Sequence, residues 1–168
     1  VELPGGECDN AMTPKTKIVE FSGTRYQVRK LSPDVGSFIL GKALMVGIKA
    51  SEESAASNGD AVAAPDKAAP EDMARAIAFS FVFRGADFET HRFVQGKCLA
   101  VCSRMESKDG GPELPMPIVN DAGAWAIPEI RDDVALVMRL EVEVLAFNFT
   151  DFFAVGGLNA MAGQVSAA

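Results

Sequence analysis

Apolar positions along the chain change period where one kind of element gives way to another. Tyr26 and Val28 alternate with Arg25, Gln27 and Arg29, which is the pattern of a strand with one wet face. The stretch 17–21 before it joins through Ser22-Gly23, and the two segments predict a hairpin, 17–21 with 24–31. A two-residue loop sets Glu20 against Arg25 on the wet side and Val19 against Tyr26 on the dry side, whereas a three-residue loop would oppose Glu20 to Tyr26, so the two-residue register is expected. Ser32-Pro33-Asp34 then reads as a helix start: a capping hydroxyl, a proline where no donor is needed, and an acid at the positive end of the dipole. From there Val35, Phe38, Ile39, Ala43 and Val46 fall on one helical face over 35–48, widened by Leu40, Leu44 and Ile48. Gly36, Gly41 and Gly47 each weaken that helix by about 0.8–1.0 kcal/mol relative to alanine, and close approach of another backbone is the expected reason for them.

Residues 50–70 hold no large apolar side chain except Val62, and a flexible loop or linker is expected there, too poor in apolar surface to offset its own ordering. A helix resumes over 71–84, with Glu71 and Asp72 in its first turn and Met73, Ile77 and Phe81 at four-residue spacing. The spacing predicts another over 87–105, with Val94, Cys98, Val101, Cys102 and Met105 as its core face. Residues 108–112, KDGGP, break the chain clearly. Residues 116–127 predict a second small hairpin about the turn Asn120-Asp121-Ala122-Gly123. The last long helix is expected over 132–149, with Val134, Met138, Val142, Leu145 and Phe149 inward and Arg139 and Glu143 as an outward pair four residues apart. Gly156-Gly157 is a stop signal. The expected fold is therefore α+β and mostly helical: an N-terminal β-hairpin, about four helices and a second small hairpin. Its organisation would be a disordered extension over 1–16, one domain over 17–153 with a flexible insertion at 50–70, and a flexible tail over 154–168.

Composition narrows the function. With 168 residues, 48% of them hydrophobic, the chain can bury one good core. A net charge of −7 disfavours a surface that tracks phosphates, so nucleic acid is not expected as a partner. The beginning of the chain lacks the pattern of a signal peptide, and the uncharged stretch 154–168 is too short to span a bilayer, so no membrane partner is expected either. Three cysteines, an odd number in a chain this size, suit a reducing compartment.

Candidate chemistry is sparse. His91, the only histidine, could share a helical face with Cys98 and Cys102. On a continuous helix, however, His91 and Cys102 would stand about 16 Å apart, too far to share an ion, so a metal site is not expected and the two cysteines read as buried structure. Nucleophilic catalysis would need a base beside Cys8, Cys98 or Cys102, and the histidine stands one to two turns from the helical pair. Glu52-Glu53, Asp132-Asp133 and Glu141/Glu143 face different directions when helical and read as solvated faces rather than acid–base pairs. No phosphate-binding glycine loop follows a strand, and no cofactor is implied. One feature stands out: Phe147, Phe149, Phe152 and Phe153 crowd four of eleven phenylalanines into the end of the last helix and the few residues beyond it, more than one face can bury. An exposed remainder would mark a protein-binding surface.

The opening hairpin, the phrase Tyr26-Gln27-Val28-Arg29-Lys30-Leu31-Ser32-Pro33, the start Val35-Gly36-Ser37-Phe38-Ile39, the Asp121/Gly123 turn and the closing Phe147-Asn148-Phe149 with Phe152-Phe153 together resemble tail assembly chaperones of long-tailed bacteriophages. The likeness covers roughly 17–153, and the insertion at 50–70 departs from it. It implies a protein that is not an enzyme. Such a protein binds the tape measure protein and the tail tube protein during tail assembly in the cytoplasm of the bacterial host, and is absent from the mature virion. A homo-oligomer is compatible with it. The apolar surplus then gives the expected partner-binding residues: Phe38, Leu40 and Leu44 on the first helix, and Phe147, Phe149, Phe152 and Phe153 on the last. Competing readings are a structural tail component of the tube or terminator type, which calls for more strand, and a small acidic protein-binding regulator.

Overall fold

Turn chemistry sets the first contact of the fold. Ser22 and Gly23 both sit at positive φ, 51° and 77°, the two-residue turn whose twist matches the strands it joins. It closes β1 (Thr16–Phe21) on β2 (Thr24–Arg29), with Val19 opposite Tyr26 and Glu20 opposite Arg25, the register expected from the sequence. The computed structural model describes residues 15–57, 69–84, 87–108 and 110–154 and bears out an α+β, mostly helical fold. The expected N-terminal extension and C-terminal tail lie almost wholly outside the described residues.

Helix α1 (Pro33–Ser57) starts at the proline as expected but continues well past Ile48. The first residues of the stretch read as a loop are therefore helical, and most of its remainder lies outside the described residues. Ile39 and Ala43 are buried, Val35, Leu40, Leu44 and Val46 are half-buried, and Phe38 and Met45 face solvent. Among the described residues no neighbouring backbone approaches Gly36 or Gly41: a Cβ on Gly41 would meet nothing within 4 Å, and one on Gly36 only the Cβ of Leu31 at 3.9 Å, while the surroundings of Gly47 lie outside the description. The expectation of close approach fails at both positions.

Helices α2 (Pro70–Arg84) and α3 (Phe88–Ala100) follow, and Asp87 caps the latter by accepting from the Thr90 N–H at 2.9 Å and its hydroxyl at 2.7 Å. Here the sequence reading needs its main correction. The helix expected over 87–105 stops at Ala100, and β3 (Cys102–Ser107) takes over. The cause is the free edge of β2, whose Arg29 N–H donates to Val101 O at 3.0 Å while Tyr26, Gln27 and Val28 pair with Arg104, Ser103 and Cys102. Ladder bonds to a distant strand outweigh the modest helical preference of residues 101–105. Val94, Cys98 and Cys102 remain buried in the core, while Val101 and Met105 are only half-buried.

Gly110, at φ 74°, turns β3 back into β4 (Glu113–Pro117) and completes a four-stranded antiparallel sheet in the order β1-β2-β3-β4. The second small hairpin is present beyond it. Val119 bridges Trp125, and the Asn120 side chain accepts from the N–H groups of Ala122 and Ala124 at 3.0 and 2.9 Å. The short α4 (Pro128–Arg131) leads into α5 (Val134–Ala154), capped by Asp133, which accepts from the Leu136 N–H at 2.9 Å.

The last helix runs five residues past the expected end at 149, since no breaker occurs before Gly156-Gly157, and it is the axis of the core. Leu140, Val144, Leu145, Ala146 and Phe149 are buried, in one cluster with Ala74, Ala78 and Phe81 of α2 and Tyr26 and Val28 of the sheet. Residues 141–143 overturn the reading of this helix as wet on one side. Glu143, expected in an outward pair with Arg139, is 8% exposed and lies between Arg75 and Lys17. Glu141 is wholly buried.

Candidate functional site

The two phrases that carry the family likeness meet in space. Lys30, at the end of the first phrase, donates its Nζ to Phe147 O, reaches Asp151 Oδ2 at 2.8 Å and lies 3.9 Å from the centroid of the Phe147 ring. The Leu31 N–H donates to Asn148 Oδ1 at 2.9 Å, and Asn148 turns its amide nitrogen back to Val144 O at 2.7 Å. These contacts fasten the β2–α1 junction to the last turns of α5. Of the residues at 147–153 expected to bind a partner, Phe149 and Phe153 are buried, at 1% and 9% exposure, and Phe147 and Phe152 are half-buried.

Apolar surface is open elsewhere. The rings of Phe79 and Phe83, four residues apart on α2, stack with centroids 4.3 Å apart and remain 55% and 50% exposed. Beside them Phe21 from β1 and Val134, Ala135, Met138 and Val142 from the first half of α5 line a groove of about 630 Å³. Its rim is charged. Glu143 bonds Arg75 and, at 3.1 Å, Lys17; burial alone would raise its carboxyl, but these two cations hold it below the ordinary range. Arg139 lines the same groove. The sequence signal for this site was present and overlooked: in Ala78-Phe79-Ser80-Phe81-Val82-Phe83 the rings alternate between opposite sides of a helix, so Phe81 reaches the core and its neighbours cannot.

Phe38 is the expected partner-binding residue that the fold does expose, at 48%. It meets Phe93 of α3 edge-on at 5.7 Å, with Lys42 and Lys97 near the two rings at 5.7 and 5.5 Å from their centroids. Leu40 and Leu44 are half-buried against the core, so the first-helix trio does not form one surface.

The chemistry-bearing residues lie inside. Among the described residues neither oxygen of Glu141 has a hydrogen-bond partner, and His91 Nδ1 stands 3.8 Å from Oε1. Burial pushes the Glu141 carboxyl up to about 7, with Gln95 drawing it back part of the way. Cys98 and Cys102 are buried free thiols. Burial, aided by the nearby Glu141, pushes Cys98 well above the ordinary thiol range, and burial pushes Cys102 up to about 12. Neither is a thiolate at neutral pH. Among the described residues no group of three histidines, cysteines or acids is placed to hold a metal, and no helix is long and apolar enough to cross a membrane.

One protein-family model, described as phage tail assembly chaperone protein, TAC, matches residues 22–160. No curated protein and no solved structure matches the chain.

Proposed function

Because the chain belongs to the phage tail assembly chaperone family, which is not a class of enzymes, we propose that it binds the tape measure protein and the tail tube protein during tail assembly. In this reading it works in the cytoplasm of the bacterial host and leaves before the virion is complete. The observation that carries the reading is the groove between α2 and α5. Stacked, half-exposed phenylalanines beside Phe21, Val134 and Met138 form the kind of contiguous apolar surface that a soluble monomer seldom leaves uncovered without use. A net charge of −7 keeps a protein bearing such a surface in solution. A long, aggregation-prone client would lay an apolar helical face along the groove, as in other helix-in-groove recognition.

Co-expression tests this. The chain should raise the soluble yield of the tape measure protein and copurify with it, and Phe79→Ser with Phe83→Ser should abolish both effects while circular dichroism and melting cooperativity persist. Copurification undiminished in a folded double variant would remove the groove from the account.

A further inference from the structure

The two edges of the sheet are finished differently. Successive residues of an edge strand direct their N–H and C=O groups alternately toward the neighbouring strand and away from the sheet. In β1 the two-residue turn makes Phe21 and Thr24 a pair that exchanges both bonds, and at the other end the Lys30 N–H donates to Lys15 O at 3.2 Å. Residues 15, 17, 19 and 21 therefore bond inward. Thr16, Ile18 and Glu20 turn their N–H and C=O groups outward, and among the described residues no backbone group pairs with them. At the opposite edge the Ile118 N–H donates to Cys102 O at 3.2 Å, and Met116 and Leu114 pair with Arg104 and Glu106. The outward residues of β4 are thus Glu113, Pro115 and Pro117, and the two prolines have no N–H to offer. One edge is blunted by proline and the other, among the described residues, is open.

We propose that β1 pairs antiparallel with β1 of a second copy of this chain, about a two-fold axis at Ile18, joining two four-stranded sheets into one of eight strands. The inference is independent of the client-binding reading. Symmetry and register support this occupant. A two-fold axis relating antiparallel edges stands perpendicular to the sheet and keeps each face on its own side, so only residues of like parity can face each other. With Ile18 opposite the second copy's Ile18, Thr16 faces Glu20 and Glu20 faces Thr16, and every outward group of both strands finds a partner. Sliding by one such step places Thr16 against a turn residue or Glu20 against a residue before the strand.

The side chains agree. Thr16 can donate its hydroxyl to the facing Glu20, Lys17 faces Val19, and no like charges stand opposite each other. Ile18, 41% exposed on the outer face of the sheet, is covered by its own counterpart. The axis also puts both helical layers on the same side of the joined sheet, so the two α2–α5 grooves would be presented to one side. Six-residue strands alone bury less than the roughly 1,200 Å² of a stable interface, so the dimer should exchange with monomer as concentration falls.

Sedimentation of the full chain under reducing conditions over a wide concentration range is the test. Wild type should pass from monomer to dimer. Ile18→Lys sets like charges together at the axis, and Thr16→Pro removes only an outward donor; each should raise the dimer dissociation constant by at least roughly tenfold with melting curves like wild type, while Ile18→Val keeps the dimer. If Ile18→Lys fails to fold, Thr16→Pro decides. A wild type that is monomeric throughout, whether its edge is empty, filled by the chain's own residues 1–14 or kept for a client strand, overturns the proposal. So does a dimer that persists in the folded variants.

Discussion

The placement of Glu141 makes stability depend on pH. Its carboxyl is held at about 7 in the folded protein against 4.5 for the free group, so the folded state binds the proton more tightly than the unfolded one. Stability from this group is therefore greatest below about pH 4.5, falls as pH rises through the interval to 7, and is lowest above it, by on the order of 3 kcal/mol. Glu141→Gln cannot ionise. The stability of that variant relative to wild type should climb by about 2–3 kcal/mol between pH 5 and pH 8, measured by urea unfolding at each pH; a difference that stays constant would show that Glu141 does not titrate in the fold. Cys98 and Cys102 give a second prediction at this scale. Two of the three thiols should react with a thiol reagent only as fast as the protein unfolds, since both are buried and protonated at neutral pH, and prompt labelling of all three would place the pair outside the core. The burial of Cys98 and Cys102 was legible from their helical spacing, but that of the two glutamates was not legible in the string Leu140-Glu141-Val142-Glu143-Val144. Two acids in alternation look like a wet face, and only the crowding of α2, α3 and β1 around α5 turns both of them inward.

Among the elements, the hairpin could be read from the sequence because its cause is local: a two-residue turn fixes the register of the strands on either side. The strand at 102–107 could not, because its partner lies more than seventy residues earlier and Cys98, Cys102 and Met105 repeat with a helical period. The likeness-bearing phrases were legible as words but not as a contact; their role appears only where Lys30 and Leu31 meet Phe147, Asn148 and Asp151. Asn148→Ala strands the half-buried N–H of Leu31, and should cost about 1–2 kcal/mol in denaturant unfolding; an unchanged midpoint would mean the fastening contributes nothing. Helix α1 carries the opposite expectation. With nothing among the described residues within 4 Å of a Cβ on Gly41, Gly41→Ala should stabilise the protein by up to about 1 kcal/mol, read as a higher denaturation midpoint, and destabilisation would reveal a neighbour at that position.

For the molecule as a whole, the fold explains how an acidic member of the tail assembly chaperone family can present apolar surface. A core built around α5 holds α2 so that one of its faces is buried through Ala74, Ala78 and Phe81 while the other carries Phe79 and Phe83 into solvent. The sequence pointed to surplus phenylalanine at the end of α5, where the length of that helix and its fastening to Lys30 draw Phe149 and Phe153 into the core and leave Phe147 and Phe152 half-buried. The client site in the proposed function is the α2–α5 groove. Its most direct test places a photoreactive phenylalanine analogue at position 79, or in turn at position 38, in the chaperone co-expressed with the tape measure protein. The account predicts an efficient crosslink to the tape measure protein from position 79 and little from position 38. Capture from position 38 with none from position 79 would contradict it and move the client to the α1–α3 face.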